Sequence, residues 1–345
     1  MGTRTEVLSL FMLGGGQGSR IWIATRAALS LGVPLALSTA VGHQTIGLQV
    51  SVGAFTALFA TSRTAAERAK VLPFIGAGLL ASAGLGVVLA QWGWALTLGL
   101  VLIAAVSCAL AFGYRVGPPG PVFFVLAYGL AGNITAPVDG VRHIDPWAFV
   151  LAVCCGIAFS YLVALVPLLS ARERARPVSP LRELLPGPRL GREGRLLIVR
   201  AVLVAAIGAV VSAVWLDPHR AYWTVSSGVA VIGLTTGRSY AFRRALHRIA
   251  GTLVGALVYL VVAPLGEVPW ALVALLVLLQ FSVELVITRN YGFGLALVTP
   301  LVLLIVGVVT GGSDHQDVVL ARLVDTATGA LLGFASGFLH PRSRA

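Results

Sequence analysis

Charged side chains are scarce in this 345-residue sequence, where Asp, Glu, Lys and Arg together make up 11% of the residues. A soluble globular protein carries roughly a quarter charged residues. Hydrophobic residues instead make up 57% of the chain, and its mean hydropathy is +0.92. Apolar runs of about 18 or more residues recur along it, which is the pattern of transmembrane helices. The composition excludes an ordinary soluble domain and predicts an all-α, polytopic membrane protein.

Several marks of enzymes and metal sites are also missing. Cys108, Cys154 and Cys155 all lie inside apolar runs and form no C-x-x-C motif, so neither a disulfide framework nor a metal site is predicted. The sequence contains no P-loop, no nucleophile elbow and no H-E-x-x-H motif. We therefore expect neither an enzyme nor a bound cofactor. The net charge of +12 arises mainly from arginines in short loops, which indicates membrane topology and not nucleic-acid binding.

The apolar runs predict twelve transmembrane helices of about 17–23 residues, the length that crosses a hydrocarbon core of about 30 Å. Small residues four positions apart, as in Gly329, Gly333 and Gly337, predict close helix–helix packing. The predicted spans lie near 21–41, 44–61, 71–90, 93–113, 118–136, 147–169, 196–215, 221–237, 249–264, 269–288, 291–309 and 318–339.

Positive charge is distributed unevenly between the two sets of connecting loops. One set holds most of the arginines, including the run from Arg172 to Arg195, whereas the other holds only Arg142 and Arg220 beside several acidic residues. Loops rich in Arg stay in the cytoplasm, so both termini are predicted to be cytoplasmic in a protein of the inner membrane. The predicted organisation is an interfacial segment at 1–20, a first six-helix repeat at 21–169, a basic linker at 170–195, a second six-helix repeat at 196–339 and a tail at 340–345.

Two stretches of the chain resemble each other. The first is TSRTAAERAKVLPFIGAGL, and it aligns with TGRSYAFRRALHRIAGTLV in the second half. Arg63 then falls on Arg238 and Arg68 on Arg243, with 175 residues between the members of each pair. Since six helices keep both halves in the same orientation, the repeat is predicted to be parallel, with its axis along the membrane normal. Such a pseudo-dimer encloses a path between its halves.

Further motifs connect the sequence with a known family. They are RVGPPGPVFFVLA (115–127), YWTVSSGVAVI (222–232), RRALHRIAGTLVGALV (243–258), QFSVELVITRNYGFGLALVTPLVLL (280–304) and ARLVDTATGALLG (321–333). In these stretches the chain resembles the fusaric acid resistance protein family, also called the aromatic acid exporters. The resemblance implies two six-helix repeats and efflux of small organic anions, chiefly aromatic carboxylates. It extends to plant aluminium-activated malate transporters, which are anion channels.

Basic residues at the predicted cytoplasmic helix ends are candidates for an anion path, and we call them the basic group. A ring of arginines concentrates anions and binds carboxylates through planar guanidinium groups. The alternative is that these residues only set the topology and contact lipid headgroups. Tyr222 and Trp223, at the opposite helix ends, either line a path for planar substrates or belong to the interfacial aromatic belt. The basic group consists of Arg63, Arg68, Arg238, Arg243, Arg244 and Arg248.

Ionisable residues inside the spans are candidates for coupling or gating, because each costs about 2.5–3.5 kcal/mol at a helix centre. Arg322 and Asp325 lie three positions apart, so they share a helix face and are predicted to pair. Arg26 and Arg200 occupy nearly equivalent positions early in spans 1 and 7. For these two arginines, extension of the side chain to the membrane surface is the favoured interpretation.

Glu284 is the acidic residue of span 10. It lies five positions before Arg289, a spacing that makes the two poor partners on a helix. Glu284 is therefore predicted either to pair with an arginine of the basic group or to carry a proton. Asn290 and Tyr291 begin span 11, where polar side chains satisfy exposed backbone groups. Glu284, Arg289 and Asn290 are thus further candidates for coupling or gating.

The sequence leaves three functions open. The first is a proton-coupled exporter of small organic anions, the second a passive anion channel, and the third a membrane assembly or lipid-handling protein that transports nothing. The expected partners are the anion and the lipid bilayer, without nucleic acid, and a homo-oligomer remains open.

Overall fold

The computed structural model of the protein describes residue 10 and residues 20–138, 140–309 and 315–339. Over these ranges the fold is all-helical, and the described residues contain no β-strand, only an isolated bridge between Val138 and Val141. The predicted tail at 340–345, and the predicted interfacial segment apart from Leu10 and Arg20, lie outside the described residues.

Twelve helices of more than one turn follow one another along the described chain. Nine of these described helices are long and apolar enough to cross a membrane. The helices are α1 Ile21–Ala40, α2 Gln44–Val52, α3 Ala65–Leu89, α4 Gly93–Gly113, α5 Val122–Thr135, α6 Pro146–Leu165, α7 Arg192–Trp215, α8 Ala221–Ile232, α9 Arg238–Gly266, α10 Pro269–Val286, α11 Tyr291–Val309 and α12 His315–Ala335.

Three of the predicted spans do not reach the length of a spanning α-helix, so the prediction of twelve spans is not confirmed. Helices α2, α5 and α8 contain 9, 14 and 12 residues, which correspond to lengths of about 14, 21 and 18 Å. Backbone conformation causes the shortening. Helix α8 ends at Gly233, which has a φ of 63°, and Gly117 and Gly120 adopt φ values of 77° and 76° just before α5. Helix α2 continues as the 3₁₀ helix Gly53–Leu58.

Other helices extend beyond their apolar runs. Helix α3 begins six residues before its predicted span, at a capping box in which Glu67 N donates to Thr64 Oγ1 over 3.3 Å and Thr64 N donates to Glu67 Oε2 over 3.1 Å. Helix α9 begins at Arg238 and contains 29 residues. Arg248, which was predicted to lie at the cytoplasmic helix end, therefore lies about 15 Å along α9 from its first residue.

Neighbouring helices approach closely where both are glycine-lined. A Cβ atom on Gly329 of α12 would overlap the Thr224 carbonyl oxygen of α8, and one on Gly156 of α6 would overlap the Val50 carbonyl oxygen of α2. A Cβ atom on Gly333 would lie 2.7 Å from the Gly228 carbonyl oxygen. The packing role predicted for the α12 glycines is confirmed at Gly329 and Gly333. Because Gly329 meets Thr224 and Gly333 meets Gly228, the residue numbers increase in the same direction and α8 and α12 run parallel.

The same helix pairs occur in both halves of the chain. Helix α3 packs against α5 and α6, and α9 packs against α11 and α12. Between the halves, α1 packs against α10 and α4 packs against α7. The largest cluster of buried apolar side chains lies in this central region and includes Leu31, Tyr128, Trp223 and Leu276.

Candidate functional site

A charged group lies at the beginning of α8, the predicted outer side. Arg220, in the short 3₁₀ turn before α8, donates from Nη1 to Asp217 Oδ2 over 2.8 Å and from Nε to Asp325 Oδ2 over 3.2 Å. The Asp325 side chain is 1% exposed, so its carboxylate is held inside the protein by Arg220. The predicted pairing of Asp325 with Arg322 is therefore wrong. Parallel packing of α8 and α12 brings Arg220 to Asp325 although 105 residues separate them.

Arg322 lies one turn from Asp325 and is also buried, with 5% exposure. Its Nε and Nη1 atoms have no hydrogen-bond partner among the residues that the structure describes. Its Cζ atom lies 4.8 Å from the ring centroid of Trp223, within the range of a cation–π contact. Asp325 and Arg248 are its charged neighbours.

Arg248 of α9 joins three helices through neutral acceptors. Its Nε donates to Ser227 Oγ over 2.6 Å, and its Nη1 donates to Tyr291 Oη over 3.0 Å. Ser227 Oγ in turn donates to the Thr326 carbonyl oxygen over 3.1 Å. Ser227, Tyr291 and Thr326 belong to α8, α11 and α12, so Arg248 lies where these helices meet α9.

Arg244, one turn before Arg248, completes the arrangement toward the predicted cytoplasmic side. Its Nε donates to the Ala230 carbonyl oxygen over 2.9 Å and its Nη1 to Tyr240 Oη over 3.2 Å. Its Cζ lies 3.9 Å from the Tyr291 ring centroid, so the Tyr291 side chain contacts two arginines. We call the whole set the polar chain, and it comprises Arg220, Asp325, Arg322, Ser227, Arg248, Tyr291 and Arg244.

The rest of the basic group lies elsewhere. Arg68 is buried and donates to the carbonyl oxygens of Ala164 and Arg63, over 3.2 and 2.7 Å. Arg238 and Arg243 are exposed near the start of α9, and Arg238 Cζ lies 3.5 Å from the Phe338 ring centroid. Only Arg244 and Arg248 of the basic group belong to the polar chain, and a ring that combines the two halves stays a prediction.

Tyr222 and Trp223 lie inside the protein, with exposures of 5% and 2%. Their ring centroids are 5.9 Å apart, and Tyr222 packs against Gly129 of α5. The belt interpretation is therefore wrong for these two residues, because both are shielded from lipid by neighbouring helices. Exposed tryptophans near helix ends fit that description better, namely Trp92, Trp94, Trp147, Trp215 and Trp270.

Glu284 pairs with a residue outside the basic group. Arg20, just before α1, donates from Nη2 to Glu284 Oε2 over 3.2 Å and from Nε to the Glu284 carbonyl oxygen over 2.8 Å. The predicted partner is thus wrong, because α10 packs against α1 and not against the start of α9. Asn290 donates to the Leu10 carbonyl oxygen over 2.9 Å and accepts from Phe293 N over 3.1 Å, which satisfies the start of α11 as predicted. Arg289 is exposed.

Arg26 and Arg200 are fully buried and do not extend to the membrane surface, so that interpretation is wrong. Arg26 donates to the carbonyl oxygens of Ala57 and Phe59, and Arg200 donates to the Thr236 carbonyl oxygen over 3.2 Å. Both bind the backbone segment that follows the second helix of their half. That segment leaves carbonyl groups without helical partners, which a guanidinium group can satisfy.

Three members of the polar chain were not predicted as site residues. Arg220 was assigned to a loop, Ser227 was given no role, and Tyr291 was interpreted only as a helix start. A signal was present in the paired Ser226 and Ser227 inside an apolar helix. No group of three or more His, Cys, Asp or Glu side chains able to hold a metal ion occurs in the described part of the chain.

The polar chain lies in the part of the sequence that is similar to known proteins. The sequence model of the fusaric acid resistance protein-like family matches residues 203–336. The chain is 30% identical over 113 residues to the uncharacterized membrane protein YvaC of Bacillus subtilis (strain 168), a match that covers 33% of this chain and 18% of that protein. The matched part is thus a small share of that relative's length. No solved structure matches the chain. Residues 203–336, which contain every member of the polar chain, are therefore similar to the fusaric acid resistance protein-like family, and the chain is a multi-pass membrane protein.

Proposed function

We propose that this protein exports small organic anions, aromatic carboxylates among them, across the inner membrane by coupling to the proton gradient. The observation that carries the proposal is the polar chain, which extends along α8 from Arg220 at its start to Arg244 beside Ala230 near its end. Arginine inside a membrane protein is expensive and usually marks an ion or substrate pathway. An arrangement with this many arginines is suited to negatively charged cargo.

The balance of charge in the polar chain supports an anionic substrate. It contains four arginines and one aspartate, Asp325, and that aspartate is bound to Arg220. Arg248 and Arg244 donate only to neutral oxygens. Positive charge therefore predominates between α8, α9 and α12, and such a region attracts and binds anions. Tyr222 and Trp223 supply aromatic surface beside it.

We also propose that the protein consists of two parallel six-helix repeats, 21–169 and 196–339, joined by a cytoplasmic linker at 170–195. The recurrence of the same helix pairs in both halves supports this arrangement. Gly53 and Gly228, 175 residues apart, both meet a glycine of the last helix of their half. In this arrangement the short helices α2, α5 and α8 complete their crossings with 3₁₀ or irregular segments, which are tolerated where backbone is buried in protein.

Proton coupling would act through carboxylates that hold arginines. Protonation of Asp325 weakens its bond to Arg220, and protonation of Glu284 weakens its bond to Arg20. Either event changes the contact between helices, α12 with the start of α8 in one case and α10 with the start of α1 in the other. Asn290, at the α10–α11 junction, links Leu10 to the same region as Glu284, and Arg289 precedes it.

The proposal is tested with the full-length chain in proteoliposomes that carry a pH gradient. We expect accumulation of radiolabelled benzoate that a protonophore abolishes. Arg248→Gln should lower the transport rate at least tenfold, whereas Arg243→Gln, which alters an exposed arginine of the same helix, should leave it unchanged. Flux that persists with the protonophore, together with currents in planar bilayers, would identify a passive channel. Absence of anion flux under every gradient would contradict transport and favour the membrane-assembly or lipid-handling alternative.

The proposed orientation has a separate test. Single cysteines at positions 140, 180 and 267 are introduced after the three native cysteines are replaced. An impermeant thiol reagent applied to intact cells should label positions 140 and 267 and spare position 180. Labelling at 180 alone would reverse the orientation.

A further inference from the structure

Arg322 differs from the other buried arginines of the described chain. Arg26, Arg68, Arg200 and Arg248 each donate to two oxygens of the protein. Arg322 is 5% exposed, yet its Nε and Nη1 atoms find no acceptor among the residues described. A buried charge without hydrogen bonds is strongly unfavourable. We therefore expect the Arg322 guanidinium group to bind a partner from outside the protein.

The surroundings of Arg322 indicate what that partner is. The nearby carboxylate, Asp325, is already bound by Arg220. The Arg322 Cζ atom lies over the Trp223 ring, 4.8 Å from its centroid, so this ring supplies a cation–π contact but no hydrogen-bond acceptor. Thr326, one turn further along the same face of α12, carries a buried hydroxyl group that also has no partner among the described residues. Buried donors without acceptors fit an anionic group such as a carboxylate.

The neighbouring arginines already bind oxygen atoms of the protein. Arg248 donates to Ser227 and Tyr291, and Arg244 donates to Ala230 and Tyr240. Among the buried guanidinium nitrogen atoms of the polar chain, those without an acceptor in the described residues are Nε and Nη1 of Arg322. Arg322 is therefore the arginine of the polar chain that is best suited to bind an anionic group.

The first half has no counterpart of this site. Gly156 and Gly329 occupy corresponding positions, because each meets a carbonyl oxygen of the second helix of its half. Seven residues before Gly329 is Arg322, whereas seven residues before Gly156 is Phe149, a fully buried side chain. Helix α6 contains no charged residue at all. One anion site per chain follows from this asymmetry.

We propose that Arg322 is the anion-binding residue of the polar chain and that each chain binds one carboxylate ligand there. This inference rests on the proposed function and narrows it to one residue. It assigns Arg322 to ligand binding and not to coupling.

The test uses the purified full-length chain in detergent, with melting temperature as the measurement and two probes, benzoate and the neutral benzamide. We expect benzoate to raise the melting temperature saturably and benzamide to have no effect. Arg322→Met should abolish the benzoate shift. Without ligand, its melting temperature should equal or exceed that of the wild type, because the gain from removing a buried charge without hydrogen bonds to the described residues exceeds the loss of the cation–π contact with Trp223. The control Arg243→Met should retain the full benzoate shift.

Arg322→Lys is a second variant for the case in which Arg322→Met does not fold. Arg322→Lys retains the charge but loses the planar group of donors, and we expect it to raise the benzoate dissociation constant at least tenfold. Wild-type benzoate binding by either folded variant would overturn the proposal, as would a wild type that does not respond to benzoate. Benzoate transport at the wild-type rate by Arg322→Met would overturn this inference alone, whereas a wild type that transports no anion would overturn the proposed function.

Discussion

The two halves of the chain pair their helices in the same way but bury different kinds of side chain. In the first half the buried arginines, Arg26 and Arg68, donate to backbone carbonyl oxygens and so stabilise helix ends. In the second half Arg200 does the same, but Arg248 donates to side chains of neighbouring helices, and two guanidinium nitrogen atoms of Arg322 have no acceptor among the described residues. The comparison teaches that one helix arrangement can serve as scaffold in one half and carry a polar site in the other.

The largest effects should fall on the packing that the halves share. Gly156→Val and Gly329→Val each place side-chain atoms into a carbonyl group of the neighbouring helix. Each should lower the free energy of unfolding by about 3 kcal/mol, the upper part of the usual range for overpacking. Unfolding in mixed detergent measures this loss. Gly84→Val is the control, because a Cβ atom there meets nothing within 4 Å. Sensitivity at one glycine only would break the proposed equivalence of the halves.

Arg68 and Arg248 should respond in opposite ways. Arg68→Gln leaves two carbonyl oxygens without their charged donor and should cost about 1–3 kcal/mol of stability, while transport per folded molecule stays unchanged. Arg248→Gln keeps hydrogen bonding within reach of Ser227 and Tyr291 but removes the charge, and should mainly lower transport. Paired measurements of melting temperature and benzoate flux check the contrast. Equal losses of flux in both variants would place the first half in the anion path as well.

A further prediction concerns the buried carboxylate of Asp325 and the more exposed carboxylate of Asp217. Asp325→Asn leaves Arg220 with only the half-exposed Asp217, and should lower the free energy of unfolding by about 2 kcal/mol. Asp217→Asn removes the more exposed of the two carboxylates that bind Arg220, and should lower the free energy of unfolding by less than about 1 kcal/mol. Chemical denaturation of the two variants in detergent provides the measurement. A larger effect of Asp217→Asn would show that Asp325 is not the main partner of Arg220.

The smallest effect is expected at the contact between the halves made by Arg20 and Glu284. Glu284→Gln removes one charge-assisted hydrogen bond but leaves the bond from Arg20 to the Glu284 carbonyl oxygen, so a loss of about 1 kcal/mol is expected. Arg20→Met in the same molecule should restore part of the loss, since the unpaired charge is removed. Glu267→Gln, at an exposed carboxylate, serves as control. An unchanged melting temperature combined with loss of proton-driven transport would assign Glu284 to coupling alone.

Much of the fold could be read from the sequence. Long apolar runs require helices in a membrane, because backbone groups there must bond internally, and nine of the predicted spans correspond to helices of spanning length. The family resemblance was readable from motifs such as YWTVSSGVAVI and ARLVDTATGALLG, and it is confirmed over residues 203–336. The packing role of Gly329 and Gly333 also followed from their spacing.

Helix ends and charge partners were decided only by the tertiary structure. Hydropathy does not register that Gly233 ends α8 or that a capping box starts α3, since these depend on local backbone conformation. Arg220 meets Asp325 across 105 residues, and Arg20 meets Glu284 across 264 residues. The spacing of residues on one helix predicts which side chains share a face, but the partner of a buried charge is set by whichever helix packs against that face. For that reason the sequence could identify Arg322, Asp325 and Glu284 as unusual, while only the packing of α1, α8, α10 and α12 determined what each of them contacts.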